Sequence, residues 1–524
     1  MGRYINLGNA GFSSVRKGLY VDKSEMIAFI NKTLGTTDKL TCVSRPRRFG
    51  KSFAAKMLAA YYDKSCDSRE LFQGLDIAGC SSFETYLNQF YVIYLDITWF
   101  ISTLGNIKET VKYLQKEVIK ELQEVFPTAR PECNSLPVML ANVKEATGDK
   151  FIIIIDEWDA LFREAKDDVD LQKEYIQLLR GLFKSSQTDK MIEAAYITGI
   201  LPIKKYGTQS ALTDFREYTM LQPKKLAKYV GFTEKEVINL CEEYSMDFEE
   251  MKKWYDGYSF NRVKSVYSPN SVIEAIKTEE ISNYWTETET YESLKVYIDM
   301  DEDGLKETII QMLGGASCPI DIGTFQNDMT SIQTKDDVLT LLVHLGYLAY
   351  DLATKSVFIP NEEVRQEFIR AVKASRHTEV AKMILASDQL LRDTLSMNDD
   401  QVAKAIQAAH SAGTAPIFYN NEQALRSVIR FAYISCIDKF QEIQELPAGT
   451  GYADVVYLPK RGSDMPILVI ELKWNKDAES AIEQIKNRNY PQVFDGCGND
   501  ILLVGINYDD KTKTHTCVIE KYRK

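Results

Sequence analysis

A chain of 524 residues is too long for one ordinary domain and suggests roughly three, at about 100 to 200 residues each. With 45% hydrophobic and 26% charged residues the composition is that of an ordered globular protein, which excludes a disordered chain. The net charge of -12 excludes a surface coated in basic side chains, so any nucleic-acid contact must be confined to a local patch or groove. Nine cysteines without a CxxC spacing, and only four histidines, indicate neither a zinc site nor a disulfide framework. No run approaches the ~18 apolar residues of a membrane span. The first twenty residues lack the apolar core of a signal peptide, so the expected location is the cytoplasm.

Taken in order, LYVDKSEMIAFI (Leu19 to Ile30) reads as a short extended piece and a helix begun at Ser24. LTCVSRPRRFGKS (Leu40 to Ser52) is an apolar strand that breaks into a cationic loop ending in Gly50-Lys51-Ser52. KSFAAKMLAAYY then reads as a helix, whose first N–H groups can hold phosphate oxygens. This is the shape of a phosphate-binding loop: Lys51 reaches the β/γ-phosphates and the Ser52 hydroxyl takes Mg2+. The expected nucleotide-binding set is Arg45, Pro46, Arg47, Arg48, Phe49, Gly50, Lys51 and Ser52. Against GxxxxGK[ST], Arg45 stands where the first glycine belongs.

A second apolar run, VIYLDI (Val92 to Ile97), precedes a long amphipathic helical region from about Leu104 to Lys150. Phe151 to Ile155 is the strand of a parallel sheet buried on both faces, and it ends in Asp156-Glu157. With a GKS loop about a hundred residues upstream, this is a Walker B motif, Asp156 holding the Mg2+ shell and Glu157 orienting and deprotonating water. A further strand, AAYIT, puts Thr198 at the carboxyl edge of the sheet, the place for a sensor of the γ-phosphate. Lys204, Lys205 and Arg216 follow as nearby cations, and Tyr218 to Leu221 is the expected fifth strand.

Phe232 to Tyr244 carries a Thr-x-x-Glu capping signature. WYDGYSF (Trp254 to Phe260) reads as a hairpin turning at Asp256-Gly257, and YSPNS begins another helix. Residues 290 to 400 are mostly helical, with a two-stranded piece near Leu345 to Ile359. In the last hundred residues GYADVVY (Gly451 to Tyr457) and ILVIELK (Ile467 to Lys473) are strands. Alternation puts Glu471 and Lys473 on one face. If the strands pair, Asp454, Glu471 and Lys473 converge. Two carboxylates then bind Mg2+, and the lysine positions water and offsets charge on a phosphodiester. Glu422, at the start of a preceding helix, is a candidate third acidic ligand. The following helix, AESAIEQIKNRNY, carries Gln484, Lys486 and Arg488 on polar positions.

These motifs together, YVDKS, SRPRRFGKS, IIDEWDALF, ITG, WYDGYSF, IPNEEV, and GTGYADVV with ELK, resemble a bacterial fusion family. Its members join an AAA-ATPase-like N-terminal region to a C-terminal PD-(D/E)XK nuclease-superfamily domain. Arg45 is normal for that family, and Asp156-Glu157-Trp158-Asp159 stands where the family usually shows Asp-Glu-Tyr-Asp. The resemblance implies an α/β protein with an additional-strand P-loop ATPase core, a helical or winged-helix middle and a restriction-endonuclease-like end. The expected division is 1–222, 223–290, 291–400 and 401–524. Its expected nuclease set is Asp454, Glu471 and Lys473, with Glu422 and Gln484 on flanking helices. It transfers no arginine finger, since Ile200-Leu201-Pro202 follows Gly199 where some members have Ser-Arg. The expected cofactors are ATP and Mg2+, or Mn2+ at the nuclease site. The expected partner is nucleic acid, DNA ahead of RNA, with no membrane and with a homo-oligomer left open. Two functions remain: an ATP-gated nuclease, or a regulatory ATPase whose terminal domain recognises without cutting.

Overall fold

The computed structural model describes residues 2–130, 134–203, 212–260, 263–285, 291–300, 304–313, 315–323, 325, 332, 334–374, 378–412, 422–448, 451–459, 463–488, 494 and 499–522. The chain forms two compact units, Met1–Thr288 with Pro319–Val364, and Glu289–Cys318 with Arg365–Lys524. Residues 291–400, expected as one middle region, fall partly in each of the two units.

In the first unit five strands form one sheet: β1 (Leu40–Ser44), β2 (Tyr91–Asp96), β3 (Phe151–Asp156), β4 (Ile192–Gly199) and β5 (Arg216–Tyr218). Their order is β2-β3-β4-β1-β5 and every pairing is parallel. β4 thus lies between the phosphate-loop strand and the Walker B strand, the additional-strand arrangement. The fifth strand comes two residues earlier than its expected start. All five residues of β1 and all six of β3 are buried, because helices cover both faces. On one face Leu40, Cys42, Ile93, Leu95, Ile153, Ile155 and Ile197 pack with helices Thr110–Val125, Leu136–Thr147 and Val169–Phe183. The expected helical region from about Leu104 to Lys150 consists mainly of the helices Thr110–Val125 and Leu136–Thr147. The helix Lys51–Tyr62 lies against β2, β3 and β4, its alanines Ala54, Ala55, Ala59 and Ala60 all buried.

After the sheet, Thr233 and Glu236 close a capping box at the start of helix Glu234–Tyr244. The aromatic stretch differs from expectation. Trp254 and Tyr255 end helix Phe248–Tyr255, and the hairpin runs from Tyr258–Phe260 to Val263–Tyr267, with its turn outside the described residues. Asp256-Gly257 is instead the corner between helix and strand, with Gly257 at φ +122 and an added Cβ 2.0 Å from the Pro360 carbonyl oxygen. Helix Pro269–Thr278 starts at its proline, as expected. Glu363 is fully buried and accepts from the backbone N–H groups of Tyr284 and Trp285 and from the Ser271 hydroxyl, which ties the IPNEEV segment to this block.

The second unit holds strands β6 (Phe440–Ala448), β7 (Gly451–Pro459), β8 (Ile467–Trp474), β9 (Ile501–Asp509) and β10 (Thr514–Lys521), in sheet order β6-β7-β8-β9-β10. Only β8 and β9 are parallel, and helix Ala478–Asn487 makes their crossover. That helix lies so close to β9 that a Cβ on Gly505 would come 2.4 Å from the Ala478 carbonyl oxygen. Alternation sorts the side chains. Val455, Tyr457, Leu468, Ile470 and Leu472 share a core with helices Thr378–Leu395, Asp399–Ala412 and Glu422–Ala432. Val456, Ile467 and Val469 pack on the opposite face, against Ile482 and Ile485 of the crossover helix.

Candidate active sites

In the first unit the chain leaves β1 through a loop whose last residue, Gly50, has φ +84, and enters the helix at Lys51. The left-handed turn points the first N–H groups of that helix into a cavity of about 990 Å³. Gly50, Lys51, Ser52, Asp156 and Glu157 line one part of it; Tyr20, Lys23, Tyr229, Gly231 and Phe232 line another. Lys51 is buried, donates to the Pro46 carbonyl oxygen at 2.9 Å, and stands 3.6 Å from the Glu157 carboxylate. Burial raises the Asp156 carboxyl above its usual range, opposed by a hydrogen bond from Ser52 and by the Lys51 charge. Tyr94 donates to the same carboxyl at 3.1 Å.

The loop's first residues do not reach the cavity. The fully buried Arg45 donates to the carbonyl oxygens of Ser44 (2.8 Å) and Tyr218 (2.9 Å) and lies over the Phe260 ring. Burial pulls its guanidinium down to about 10. Pro46 packs on Gly346, where an added Cβ would meet its Cγ at 2.6 Å. Where a glycine would have given freedom, these side chains anchor the loop. Arg47, Arg48 and Phe49 line the cavity. Thr198 does not: it pairs with Val43 across β1 and β4 and donates its hydroxyl to that residue's carbonyl oxygen at 3.0 Å. Arg216 pairs with Asp38, and Lys204 and Lys205 lie outside the described residues.

Two residues at the cavity, Asp96 and Arg163, carry no expectation from sequence, and Lys23 of the YVDKS motif joins them there. Asp96 ends β2 opposite Asp156 and lines the cavity; the signal was a second apolar strand ending in aspartate. Lys23 is held by Glu236 at 2.6 Å and by the Lys228 carbonyl oxygen at 2.8 Å, which ties the YVDKS stretch to the block after the sheet. Arg163, one helical turn after Asp159, donates to Asp159 at 3.1 Å and to Glu157 at 2.6 Å. The oxygen donors of Ser52, Asp96 and Asp156, the helix N-terminus and Lys51 fit a magnesium nucleotide.

In the second unit, the register Val455↔Ile470 sets Asp454 opposite Glu471. Asp454, Glu471 and Lys473 therefore project from the face that carries the crossover helix. The Lys473 amine lies 3.3 Å from Glu471 and donates to Gln484 at 2.6 Å, while the Gln484 amide donates to Glu471. The second Glu471 oxygen is buried without a hydrogen-bond partner. Burial, then the nearby Asp454 charge, push the Glu471 carboxyl up to about 7. Asp454 accepts from the Leu472 N–H at 2.9 Å and from Arg426 at 2.6 Å. Arg426 was not foreseen; it sits one turn along the helix begun by Glu422, whose side chain lies outside the described residues. Lys486 pairs with Glu520. Among the described residues no group of three or more Asp, Glu, His or Cys side chains is placed to hold a metal ion. The fit to a metal is thus two carboxylates, one with an orphaned buried oxygen, and hard-oxygen chemistry of this kind suits an ion that keeps several waters, as Mg2+ does.

A parallel sheet in this order, with a loop and helix of this form on β1 and acidic strand ends beside it, defines a P-loop ATPase fold. The mixed sheet of the second unit is an α/β layer of nuclease type. Residues 7–208 match the family described as "predicted AAA-ATPase", and residues 420–517 match the PD-(D/E)XK nuclease superfamily. The chain is a fusion of a domain from each. Similar solved structures include the Walker-type ATPase PABY2304 of Pyrococcus abyssi (14% identity, 66% of this chain and 94% of that one, TM-score 0.33). Others are ORC2 of Aeropyrum pernix (12%, 71% and 99%, 0.31) and AMPPCP-bound DnaA of Aquifex aeolicus (12%, 72% and 90%, 0.25). No curated protein matches the chain. Among the described residues no helix is long and apolar enough to cross a membrane.

Proposed function

We propose that the chain is an ATP-gated nuclease: the first unit binds and hydrolyses ATP, and the second cleaves DNA phosphodiesters with Mg2+ or Mn2+. The observation that carries the cleavage is the convergence of Asp454, Glu471 and Lys473 on one sheet face, braced by Gln484. A phosphodiester repels an anionic nucleophile, so positive charge must be supplied where the nucleophile arrives. A metal bound by Asp454 and Glu471 supplies most of it. Lys473 holds water against the phosphorus, and Gln484 fixes both Glu471 and Lys473 in that pose. In the first unit Lys51 and the helix N-terminus bind phosphates, Ser52 and Asp156 orient the ion, and Glu157 takes the proton of the attacking water. Because the chain carries -12, DNA is held in a local groove and its binding weakens steeply with salt.

The second reading, recognition without cleavage, draws on Arg426, which occupies one Asp454 oxygen. The test is a metal-dependent cleavage assay on single-stranded, double-stranded and branched DNA and on RNA, with and without ATP. Cleavage that is lost in both Glu471→Ala and Lys473→Ala supports the nuclease. Binding of nucleic acid with no cleavage in any metal selects the recognition module.

A further inference from the structure

Glu157 is the group assigned to activate water, and in this structure it is held between two cations. Its backbone sits at φ +51, in the left-handed region that non-glycine residues rarely adopt. One carboxylate oxygen lies 3.6 Å from Lys51 and the other takes the Arg163 guanidinium at 2.6 Å. Arg163 is anchored on its other edge. Its Nε donates to Asp159, which has no exposed surface and accepts from the backbone N–H groups of Ile200 (3.2 Å) and Leu201 (2.9 Å) at the end of β4. Asp159 cannot shift without stranding those donors, and Gly199 leaves it just enough room: a Cβ there would lie 2.2 Å from its Oδ1. One edge of the guanidinium is thus fixed to the sheet, and the other lies in the wall of the phosphate cavity.

We propose that Arg163 is the arginine of ATP hydrolysis, supplied in cis, and that it exchanges Glu157 for the terminal phosphate when nucleotide binds. This rests on the ATPase reading of the site. A triphosphate brings a denser negative charge than one carboxylate, so both Lys51 and Arg163 gain by turning to it. Glu157 is then released from its two counter-ions and becomes free to accept a proton from water. The same residue thereby keeps the base inactive in the empty site and stabilises the charge on the transferring phosphoryl in the filled one. An arginine built into the protomer dispenses with one from a neighbouring subunit.

The test compares wild type, Lys51→Ala, Arg163→Ala and Arg163→Lys in the full chain. Arg163→Lys keeps a charge beside Asp159, so it remains informative if Arg163→Ala fails to fold. The expected result is that ATP binding in both Arg163 variants, read with a fluorescent ATP analogue, stays within about threefold of wild type, while kcat falls a hundredfold or more. The variants should also fail to trap ADP with aluminium fluoride, a mimic of the transition state that a merely structural ion pair would not affect. Wild-type activity per protomer should be independent of protein concentration on dilution. Hydrolysis at the wild-type rate in Arg163→Lys and Arg163→Ala, with Lys51→Ala inactive, overturns the proposal and leaves the ATPase reading standing. Specific activity that vanishes on dilution overturns it in favour of a neighbour's arginine. A wild-type chain that hydrolyses no nucleotide removes both.

Discussion

Glu471 is where the chemistry of a single side chain is most exposed to experiment. Its carboxyl titrates at about 7, raised by burial and then by Asp454, with Lys473 and Arg488 acting the other way. The native chain therefore keeps a proton that the unfolded chain releases near its ordinary ~4.3. Between those two values the folded state binds more protons, so stability falls as pH rises from about 4 to about 7. Above that the loss is complete. Glu471→Gln should remove this slope and raise the metal-free melting temperature at pH 8, and an unchanged pH profile by calorimetry would sink the assignment. Metal must displace the same proton, so Mn2+ affinity measured by titration calorimetry should fall up to tenfold per unit below pH 7. At the other site, Lys51→Ala should abolish nucleotide binding, whereas Glu157→Gln should bind normally and hydrolyse at least a hundredfold more slowly. Parallel binding and turnover measurements separate the two.

Among the elements, short-range patterns were legible and long-range partners were not. The loop, the Walker B strand and the two nuclease strands announce themselves because each chemical residue stands at the end of an apolar run or at a fixed spacing within it. The sequence places Arg45 in the nucleotide set, since nothing near it reveals Tyr218, the carbonyl it reaches 173 residues away. Thr198 stands at the predicted strand end, but the pairing of β4 with β1 turns its hydroxyl to Val43. The Asp256-Gly257 corner resembles a hairpin turn in sequence because alternating aromatics suit both a strand and the end of an amphipathic helix; Met251 and Tyr255, four apart and both buried, belong to the helix that precedes it. At that corner Gly257→Ala combines a left-handed φ with a backbone collision. It should lower stability by about 3 kcal/mol in chemical denaturation. An effect below about 1 kcal/mol would mean the corner relaxes freely.

At the scale of the molecule, the two units are not consecutive. The chain passes from the first to the second after Thr288, returns at Pro319 and leaves again after Val364. Leu305, Ile309, Met312 and Leu313 are buried and belong to the second unit, where Arg365 donates to the Leu313 carbonyl oxygen at 3.3 Å. A fragment 401–524, cut where the nuclease region was expected to begin, loses those residues together with helix Thr378–Leu395. It should be less soluble and melt lower than a fragment that retains 289–318 and 365–524 through a linker, as thermal denaturation of the two would show. Equal stability would mean that the inserted helices add nothing to the fold.

The interleaving also sets an order of events during synthesis. Residues 289–318 leave the ribosome long before the strands they fold with, while the first unit has every residue it needs once Val364 has emerged. The rest of the second unit, residues 365–524, takes on the order of ten to thirty seconds more to translate. Each newly made chain thus has every residue of its first unit outside the ribosome before the second unit is complete. Nascent chains arrested after residue 400 should already resist protease across the first unit while remaining sensitive at 289–318.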